Sequence, residues 1–268
     1  MNKIRQRILD ALPIRLRFAL RYMKKLIANV LANVRSWLLT RLNSGVPQNL
    51  TREEIHAAQI TFAQFGEDMA VLRWVDGLKM IPQIYVDVGC YHPIHFSNTL
   101  LLHKRDWKGV NVDLNKSRIT EFERLRPGDY NVLAAVSSSE RELKIFEYDL
   151  GSTDRLGEVH EEKPESRIPG EKLTGTRLVK TRALNSILQS CPWPVGQIGY
   201  LNIDCEGHDL EVLKGLDLDR YQPAIITIEA FLEEERHAVF DHLIAREYEH
   251  KETIYGTLLF VKTPMEEK

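Results

Sequence analysis

The chain has 268 residues, of which 43% are hydrophobic and 28% are charged, a balance typical of a globular protein with a sizeable core. Its three cysteines include no Cys-x-x-Cys pair, which argues against a disulfide framework and a cysteine zinc site and favours a reducing compartment. The net charge of −2 conceals an asymmetry, because ten basic residues and one acidic residue in 1–45 leave a net charge of −11 for the remainder.

A basic amphipathic helix is predicted over residues 12–42, where apolar residues recur at three- and four-residue steps and basic residues occupy another face. No run of 18 uncharged apolar residues occurs, which disfavours a spanning helix and a secretory signal. The pattern fits both contact with an anionic membrane and packing against protein. The turn-forming sequence from Asn43 to Pro47 predicts a boundary between a helical extension, 1–45, and a domain over 46–268.

Strand and helix patterns alternate through the rest of the chain, which predicts an α/β fold with a doubly wound, mainly parallel sheet. Strands are predicted from residue 84 and over 110–113, 131–136, 143–148, 177–181, 200–204, 224–229 and 253–262. Helices are predicted over 51–79, from 97 or 98 to about 105, after Asn115, over 184–188, after His208, and over 233–245. Residues 151–175 lack either pattern, which favours a lid or substrate-binding loop over plain disorder.

The segment from Ile84 to Thr99 indicates a cofactor site. Its first half is typical of a buried parallel strand that ends near Asp87 and Gly89, and ligands of doubly wound sheets bind beyond such strand ends. The glycine patterns that bind a pyrophosphate are absent. An acid at the strand end suits a cationic ligand, and S-adenosylmethionine carries both an ammonium and a sulfonium group.

Four predicted strands end in acids or in near neighbours of acids. These acids are Asp87, Asp113, Asp204 with Glu206, and Glu229. Because the carboxyl ends of parallel strands lie along one edge of a sheet, the acids are expected to converge on one crevice. Helix capping could explain any one of them, but it explains the whole set less well.

Several short motifs occur in an order that resembles the FkbM-type methyltransferases. They are Gln64-Phe-Gly-Glu-Asp68, Val86-Asp-Val-Gly89, His92-Pro93, Ser97-Asn-Thr99, Arg126-Pro127, Ser152-Thr153 and Ile203-Asp-Cys-Glu-Gly-His208. The resemblance runs from about Phe62 to Val261 and implies a class I methyltransferase (Rossmann-like) fold. It also implies methylation of a hydroxyl oxygen, often on a sugar of a glycan, glycolipid or secondary metabolite. The sequence departs from the family at Asp113-Leu-Asn115, where Glu-Pro is common, although the acid is kept.

The resemblance implies seven contacts with S-adenosylmethionine. They are Asp87 and Gly89 at the methionine end, Asp113 at the ribose, Ala135 and Val136 at the adenine, and Gln64 and Glu67, whose motif has a role that stays open. An acid at the end of the second strand is suited to accept hydrogen bonds from ribose hydroxyls, which agrees with the place of Asp113.

Asp204, Glu206 and His208 are the catalytic candidates, and the resemblance puts Asp204 near the transferable methyl with the other two beside it. Methyl transfer requires an aligned hydroxyl that loses its proton. His208 is the first choice for the base because its unperturbed pKa lies near working pH, with Asp204 or Glu206 orienting it. Helix capping by His208 is the alternative. The three side chains could also hold magnesium, but their spacing is weak support and no metal is expected.

The sequence therefore favours a cytoplasmic O-methyltransferase with a small-molecule or glycan acceptor. For residues 12–42, contact with the inner face of a membrane and packing against protein both stay open. A catalytically silent module that binds a partner through the same helix is the alternative, although retention of the cofactor acids argues against it. No nucleic-acid partner is expected, because the charge of −11 beyond residue 45 opposes a phosphate-binding face.

Overall fold

The computed structural model describes residues 23, 27, 30, 50–78, 81–149, 154–161 and 170–263. The chain divides into two compact units, residues 1–60 and 61–268. In the first unit, Thr51 is the N-cap residue of a short helix and forms a capping box with Glu54. The backbone N–H of Glu54 donates to Thr51 Oγ1 at 3.2 Å, and the Thr51 N–H donates to Glu54 Oε2 at 2.6 Å.

Most of the predicted amphipathic helix, residues 12–42, lies outside the described residues. Met23, Ile27 and Val30 are helical, and each is more than half exposed. The helix as a whole and its boundary near residue 45 stay predictions. Within the described part of the chain, no helix combines the length and apolar character needed to cross a membrane.

Apart from the helical residues 23, 27 and 30, the described chain contains eleven strands and eight helices. The strands are β1 (Ile84–Val88), β2 (Lys108–Asp113), β3 (Tyr130–Leu133), β4 (Ala135–Ser137), β5 (Glu142–Tyr148), β6 (Arg155–Gly157), β7 (Leu173–Ala183), β8 (Tyr200–Ile203), β9 (Ile225–Glu229), β10 (Tyr248–Ile254) and β11 (Thr257–Lys262). The helices are α1 (Arg52–Ala57), α2 (Glu67–Gly77), α3 (Leu100–His103), α4 (Lys116–Leu125), α5 (Leu184–Gln189), α6 (Asp209–Lys214), α7 (Leu218–Tyr221) and α8 (Glu233–Ile244).

The larger sheet has seven strands in the order β10-β11-β9-β8-β1-β2-β3. The strands from β9 to β3 pair in parallel, whereas β11 is antiparallel to both of its neighbours. Successive residues of a strand point to opposite faces, so Tyr85 and Tyr200 pack in one core cluster while Val86 and Leu201 pack in another. Both faces are therefore covered, which is compatible with the class I methyltransferase fold that the sequence predicts.

A second sheet of four strands has the order β4-β7-β5-β6. The sequence predicts one strand over residues 131–136, but the chain changes sheets at Ala134, whose N–H donates to the carbonyl of Asp113 at 3.0 Å. Before this residue β3 pairs with β2, and after it β4 pairs with β7. Both halves are apolar enough to be strands, and hydrophobic periodicity does not identify the neighbour with which a strand pairs.

The single helix predicted over residues 51–79 is wrong in its middle, because residues 58–66 separate α1 from α2. In this segment a side chain accepts a backbone N–H that a helical carbonyl would otherwise accept. Oδ2 of Asp68 accepts the N–H of Phe62 at 2.7 Å. Gly66 has a left-handed φ of 86°, which interrupts helical geometry, and α2 begins at the next residue with Gly66 as its N-cap.

The patternless loop predicted over residues 151–175 is also partly wrong. Strand β6 pairs with β5, and β7 already begins at Leu173. Arg155 and Glu171 form a buried ion pair with an N–O distance of 3.5 Å, so charged residues that suggest a surface loop lie inside the unit. The Ser152-Thr153 motif of this segment lies outside the described residues.

Candidate active site

A cavity of about 610 Å³ lies beyond the carboxyl ends of β1, β2, β8 and β9. The first strand pairs with β2 on one side and β8 on the other, so the order of the sheet reverses at this place. Such a switch point is where open α/β sheets bind their ligands. Asp87, Asp113, Asp204, Glu206 and Glu229 all line the cavity, as expected from the convergence of the strand ends.

Gly89 ends β1 in a left-handed conformation, with a φ of 79°. A Cβ atom at this position would lie 1.7 Å from the carbonyl oxygen of Asp204, so the backbones of the two strand ends touch. The Gly89 N–H donates to the carbonyl of Val112 at 2.9 Å, which ties the turn to β2. Glycine is therefore needed at this position for two reasons: the turn requires a left-handed φ, and the ends of β1 and β8 are too close for a side chain.

Asp87 is 1% exposed and belongs to a buried polar chain that crosses the sheet. Its Oδ1 accepts from Asn202 Nδ2 at 2.9 Å, and its Oδ2 accepts from Thr99 Oγ1 at 2.8 Å. The chain continues from Asn202 Oδ1 to the hydroxyl of Thr227, which donates at 2.8 Å. Burial raises the pKa of Asp87, and its two hydrogen bonds and the nearby Arg126 oppose this rise.

Arg126 lies at the other end of the buried polar chain and is 1% exposed. One guanidinium nitrogen donates to Thr99 Oγ1 at 2.9 Å and to the Tyr85 hydroxyl at 3.1 Å. The other donates to the carbonyl of Pro93 at 2.5 Å and to Ser97 Oγ at 2.9 Å. The Arg126-Pro127 motif therefore fixes the loop that follows β1, although sequence alone assigns it no role.

Replacing Arg126 by methionine is expected to lower the free energy of unfolding by about 3 kcal/mol, because four buried acceptors lose their donor. Arg124→Met is the matched control, since Arg124 pairs with Glu121 on the surface, where its side chain is 62% exposed. The control should change stability by less than about 0.5 kcal/mol. Urea denaturation of both variants measures the difference, and equal losses would contradict the role of Arg126.

Asp113 ends β2 and is 3% exposed. Its oxygens accept the backbone N–H groups of Tyr91 at 3.1 Å and Asn115 at 2.8 Å, and Arg118 lies 3.2 Å away. Burial raises the pKa of Asp113, while Arg118 and the two N–H groups oppose this rise. The carboxylate is therefore held in one orientation at the wall of the cavity.

The turn after β8 is held by Asp209, whose carboxylate accepts the N–H groups of Cys205 and Gly207, each at 2.8 Å. Burial raises the pKa of Asp209 to about 7. Glu206 adopts a left-handed φ of 53°, which is uncommon for a residue with a side chain, and Gly207 follows at 93°. A turn with such backbone strain beside a cavity is typical of a functional site.

Asp204 lines the cavity next to Gly89, and its side chain has no hydrogen-bond partner among the residues that the structure describes. Burial raises its pKa well above the ordinary value, and the neighbouring carboxylates of Asp209 and Glu206 raise it further. A carboxylate that has no hydrogen-bond partner among the described residues and has other acids near it is suited to accept a proton or to face a cation.

His208 precedes α6 as its N-cap residue and does not line the cavity. Its Nε2 lies 3.0 Å from Ser137 Oγ, and burial lowers its pKa, which favours the neutral ring. The structure thus brings Asp204 and Glu206 to the cavity and turns His208 toward the second sheet. Within the described ranges, no group of three metal-ligating side chains lies close enough to hold a metal ion.

The remaining predicted cofactor residues, Gln64, Glu67, Ala135 and Val136, also line the cavity. Glu67 is 4% exposed, its Oε2 accepts the Phe65 N–H at 2.9 Å, and burial raises its pKa. Ala135 and Val136 lie where the chain passes from the larger sheet to the second one.

Sequence reasoning did not assign several lining residues. They are Phe65, Asn98, Asp154, Leu156, Phe231, Leu232 and Tyr255. Asn98 belongs to a quoted motif, so its place in the chain could have suggested a role. Leu156 lies in β6 of the second sheet and Asp154 directly precedes that strand, and no signal in the sequence indicates that β6 reaches this cavity.

A doubly covered α/β sheet with a glycine turn and converging acids at its switch point is typical of domains that bind a nucleoside cofactor. A family model described as methyltransferase FkbM domain matches residues 87–252. The chain therefore belongs to the FkbM methyltransferase family, which confirms the family that the motifs predict. Gln64 and Glu67 lie outside the matched range.

Among solved structures, the chain is similar to the crystal structure of an rRNA methylase from Escherichia coli, with 16% sequence identity and a TM-score of 0.33. The similar region covers 74% of this chain and 64% of that chain, which is less than two thirds of its length. No curated protein matches the chain.

Proposed function

We propose that the protein is an S-adenosylmethionine-dependent O-methyltransferase that acts on a hydroxyl group of a sugar. The observation that carries this proposal is the position of Asp204 beside the Gly89 turn, where its carboxylate lines the cavity without a hydrogen-bond partner in the described chain. Membership of a methyltransferase family supports the reaction class, whereas the oxygen acceptor is inferred from the chemistry of the site.

The side chains of the cavity fit a cationic nucleoside cofactor. Asn98 Oδ1 is buried and has no hydrogen-bond partner among the described residues, so it is available to accept from an ammonium group. Asp204 supplies negative charge near the Gly89 turn, and Asp113 is held where a strand-end acid binds ribose hydroxyls. Ala135 and Val136 give an apolar wall for a purine base.

The reaction needs a methyl donor, an acceptor hydroxyl and a group that takes the hydroxyl proton. S-adenosylmethionine, when bound, supplies an activated methyl group on a sulfonium that is a good leaving group. Asp204 is the base that the geometry favours, because it lines the cavity, its side chain has no hydrogen-bond partner among the described residues, and its pKa is raised. Asp209 orients the turn through Cys205 and Gly207, so it acts as a positioning residue.

Calorimetric titration with S-adenosylmethionine and S-adenosylhomocysteine, with NAD as the control, tests the proposal. We expect both sulfur nucleosides to bind saturably and NAD not to bind, because the turn has one glycine where a pyrophosphate site has several. A folded protein that binds neither sulfur nucleoside would overturn the proposal in favour of a catalytically silent module.

The affinity for S-adenosylmethionine is expected to rise with pH, measured against the affinity for S-adenosylhomocysteine. Because the pKa of Asp204 is raised, the acid is partly protonated above its ordinary titration range, and a sulfonium cation binds its ionised form better. The ratio of the affinity for S-adenosylmethionine to that for S-adenosylhomocysteine should rise by at most about tenfold per pH unit. It should level off once the pH exceeds the raised pKa of Asp204. Titrations at about pH 5.5, 6.5 and 7.5 measure the ratio, and a constant ratio would contradict the assignment.

A further inference from the structure

Three exposed aromatic side chains, Phe65, Phe231 and Tyr255, line the same cavity as Asp204, and together we name them the aromatic rim. They are 48%, 41% and 67% exposed, in that order. Phe65 stacks on Tyr255 with a centroid distance of 4.3 Å, and Phe231 meets Tyr255 edge to face at 5.6 Å. Exposed aromatic groups that cluster at a cavity indicate a binding surface.

The rim is assembled from three separate segments. Phe65 precedes α2, Phe231 follows β9, and Tyr255 stands in the turn between β10 and β11. The turn is shaped for this contact, because a Cβ atom at Gly256 would lie 2.3 Å from the ring of Phe231. The Gly256 carbonyl accepts the N–H of Ala230 at 2.9 Å, which fixes the turn against the end of β9.

Tyr255 has a left-handed φ of 55°, a backbone conformation that glycine adopts more easily than tyrosine does. Its side chain is nevertheless largely exposed. Such a conformation is strained for a residue with a side chain, and an exposed side chain offsets little of that strain through burial. A strained, exposed aromatic residue that faces the cavity is therefore better explained by a ligand than by stability.

The ligand must suit both aromatic faces and carboxylates. Glu229 ends β9 directly before the Phe231 segment and lines the cavity together with Asp204 and Glu206. The C–H face of a sugar ring packs on aromatic rings, while its hydroxyls donate to carboxylates. An alkyl chain offers no donors to these acids, and a phosphate backbone is repelled by them.

We propose that the aromatic rim binds a pyranose ring of the methyl acceptor and holds one of its hydroxyls toward Asp204. The inference rests on the proposed function, because it identifies the acceptor side of the same cavity. It assigns to Tyr255 the central stacking surface, since this ring contacts both other members of the rim.

The probes are octyl glycosides of glucose, galactose, mannose and rhamnose, each used below the concentration at which it forms micelles. Saturation-transfer NMR on protein saturated with S-adenosylhomocysteine distinguishes contact with the sugar ring from contact with the octyl chain. We expect transfer to the ring protons of at least one glycoside. Tyr255→Ala should weaken the binding of that glycoside by about fivefold, whereas Tyr255→Phe, which keeps the ring, should not.

The matched control is Leu178→Ala, at an exposed apolar side chain of β7 that does not line the cavity. It should leave glycoside binding unchanged, and all variants should bind S-adenosylhomocysteine as the wild type does. Transfer to the octyl chain alone, no transfer at all, or full binding by Tyr255→Ala would overturn the sugar site while the cofactor site stands. Failure of the wild type to bind S-adenosylhomocysteine would instead overturn the proposed function.

Discussion

Replacing Gly89 by alanine is expected to weaken the binding of S-adenosylmethionine by at least about 100-fold. The new Cβ atom would lie 1.7 Å from the carbonyl oxygen of Asp204, and real Cβ atoms do not approach backbone oxygens so closely. The backbone must therefore move at the point where β1 and β8 end. The left-handed φ of 79° adds a strain that alanine tolerates less well than glycine.

The matched control for this substitution is Gly128→Ala. Apart from its chain neighbours, no described residue has an atom within 4 Å of a Cβ placed at Gly128, and the φ of Gly128 lies outside the left-handed range. The control variant should bind S-adenosylmethionine as the wild type does. Calorimetry measures the affinities, and thermal denaturation measures the accompanying loss of stability in Gly89→Ala. Wild-type affinity in Gly89→Ala would show that the strand ends tolerate the displacement and would remove Gly89 from the site.

Replacing Asp204 by asparagine is expected to lower the rate of methyl transfer by about 10²-fold to 10⁴-fold, the usual range for loss of a general base. Asparagine keeps the size of the side chain but cannot take the hydroxyl proton. The variant should also bind S-adenosylmethionine about tenfold less tightly, because the charge that faces a sulfonium is lost. Its affinity for S-adenosylhomocysteine should change little, since that ligand has no sulfonium.

Asp241→Asn is the control for the loss of one negative charge, because Asp241 is exposed on α8 and does not line the cavity. Turnover is measured with the octyl glycoside that the wild type methylates, and the affinities are measured by calorimetry. If Asp204→Asn retains wild-type turnover, the base lies elsewhere, and His208→Gln is the next variant to compare. The variant should also lose the pH dependence that the wild type shows for S-adenosylmethionine relative to S-adenosylhomocysteine.

The sequence predicts the parallel part of the central sheet well because burial on both faces leaves continuous apolar strands, four of which end at or beside an acid. The five parallel strands β1, β2, β3, β8 and β9 all lie where short apolar runs occur. Convergence of Asp87, Asp113 and Asp204 follows from the parallel arrangement alone. These features are local or depend on strand direction, so one sequence is sufficient to predict them.

Features that depend on contacts between distant segments are not predicted. The buried pair of Arg155 and Glu171 places charged residues inside the unit, so composition suggests a loop where β6 and β7 form. The two segments that surround Ala134 belong to different sheets although their sequence pattern is the same. In each case the pairing partner, rather than the residue pattern, decides the structure.

The placement of the catalytic candidates shows the same limit. The motif that ends in His208 suggests that its three polar residues act together, yet the turn directs Asp204 and Glu206 to the cavity and His208 to Ser137. The direction of each side chain depends on the left-handed backbone of Glu206 and on the hydrogen bonds of Asp209, which spacing alone does not reveal. The aromatic rim is not predicted from the sequence because its members are far apart in the chain.

Residues of the buried polar chain from Thr227 to Arg126 and residues of the turn that carries Tyr255 differ in how freely they can be substituted during evolution. Each member of the chain is hydrogen-bonded to the next, so substitutions there are expected to be non-additive and costly. The turn that carries Tyr255 has no hydrogen bond to that chain among the described residues. Under the two proposals, a descendant of this protein could therefore acquire a new acceptor by altering one hairpin turn, while the half of the cavity that we propose for the methyl donor is inherited intact.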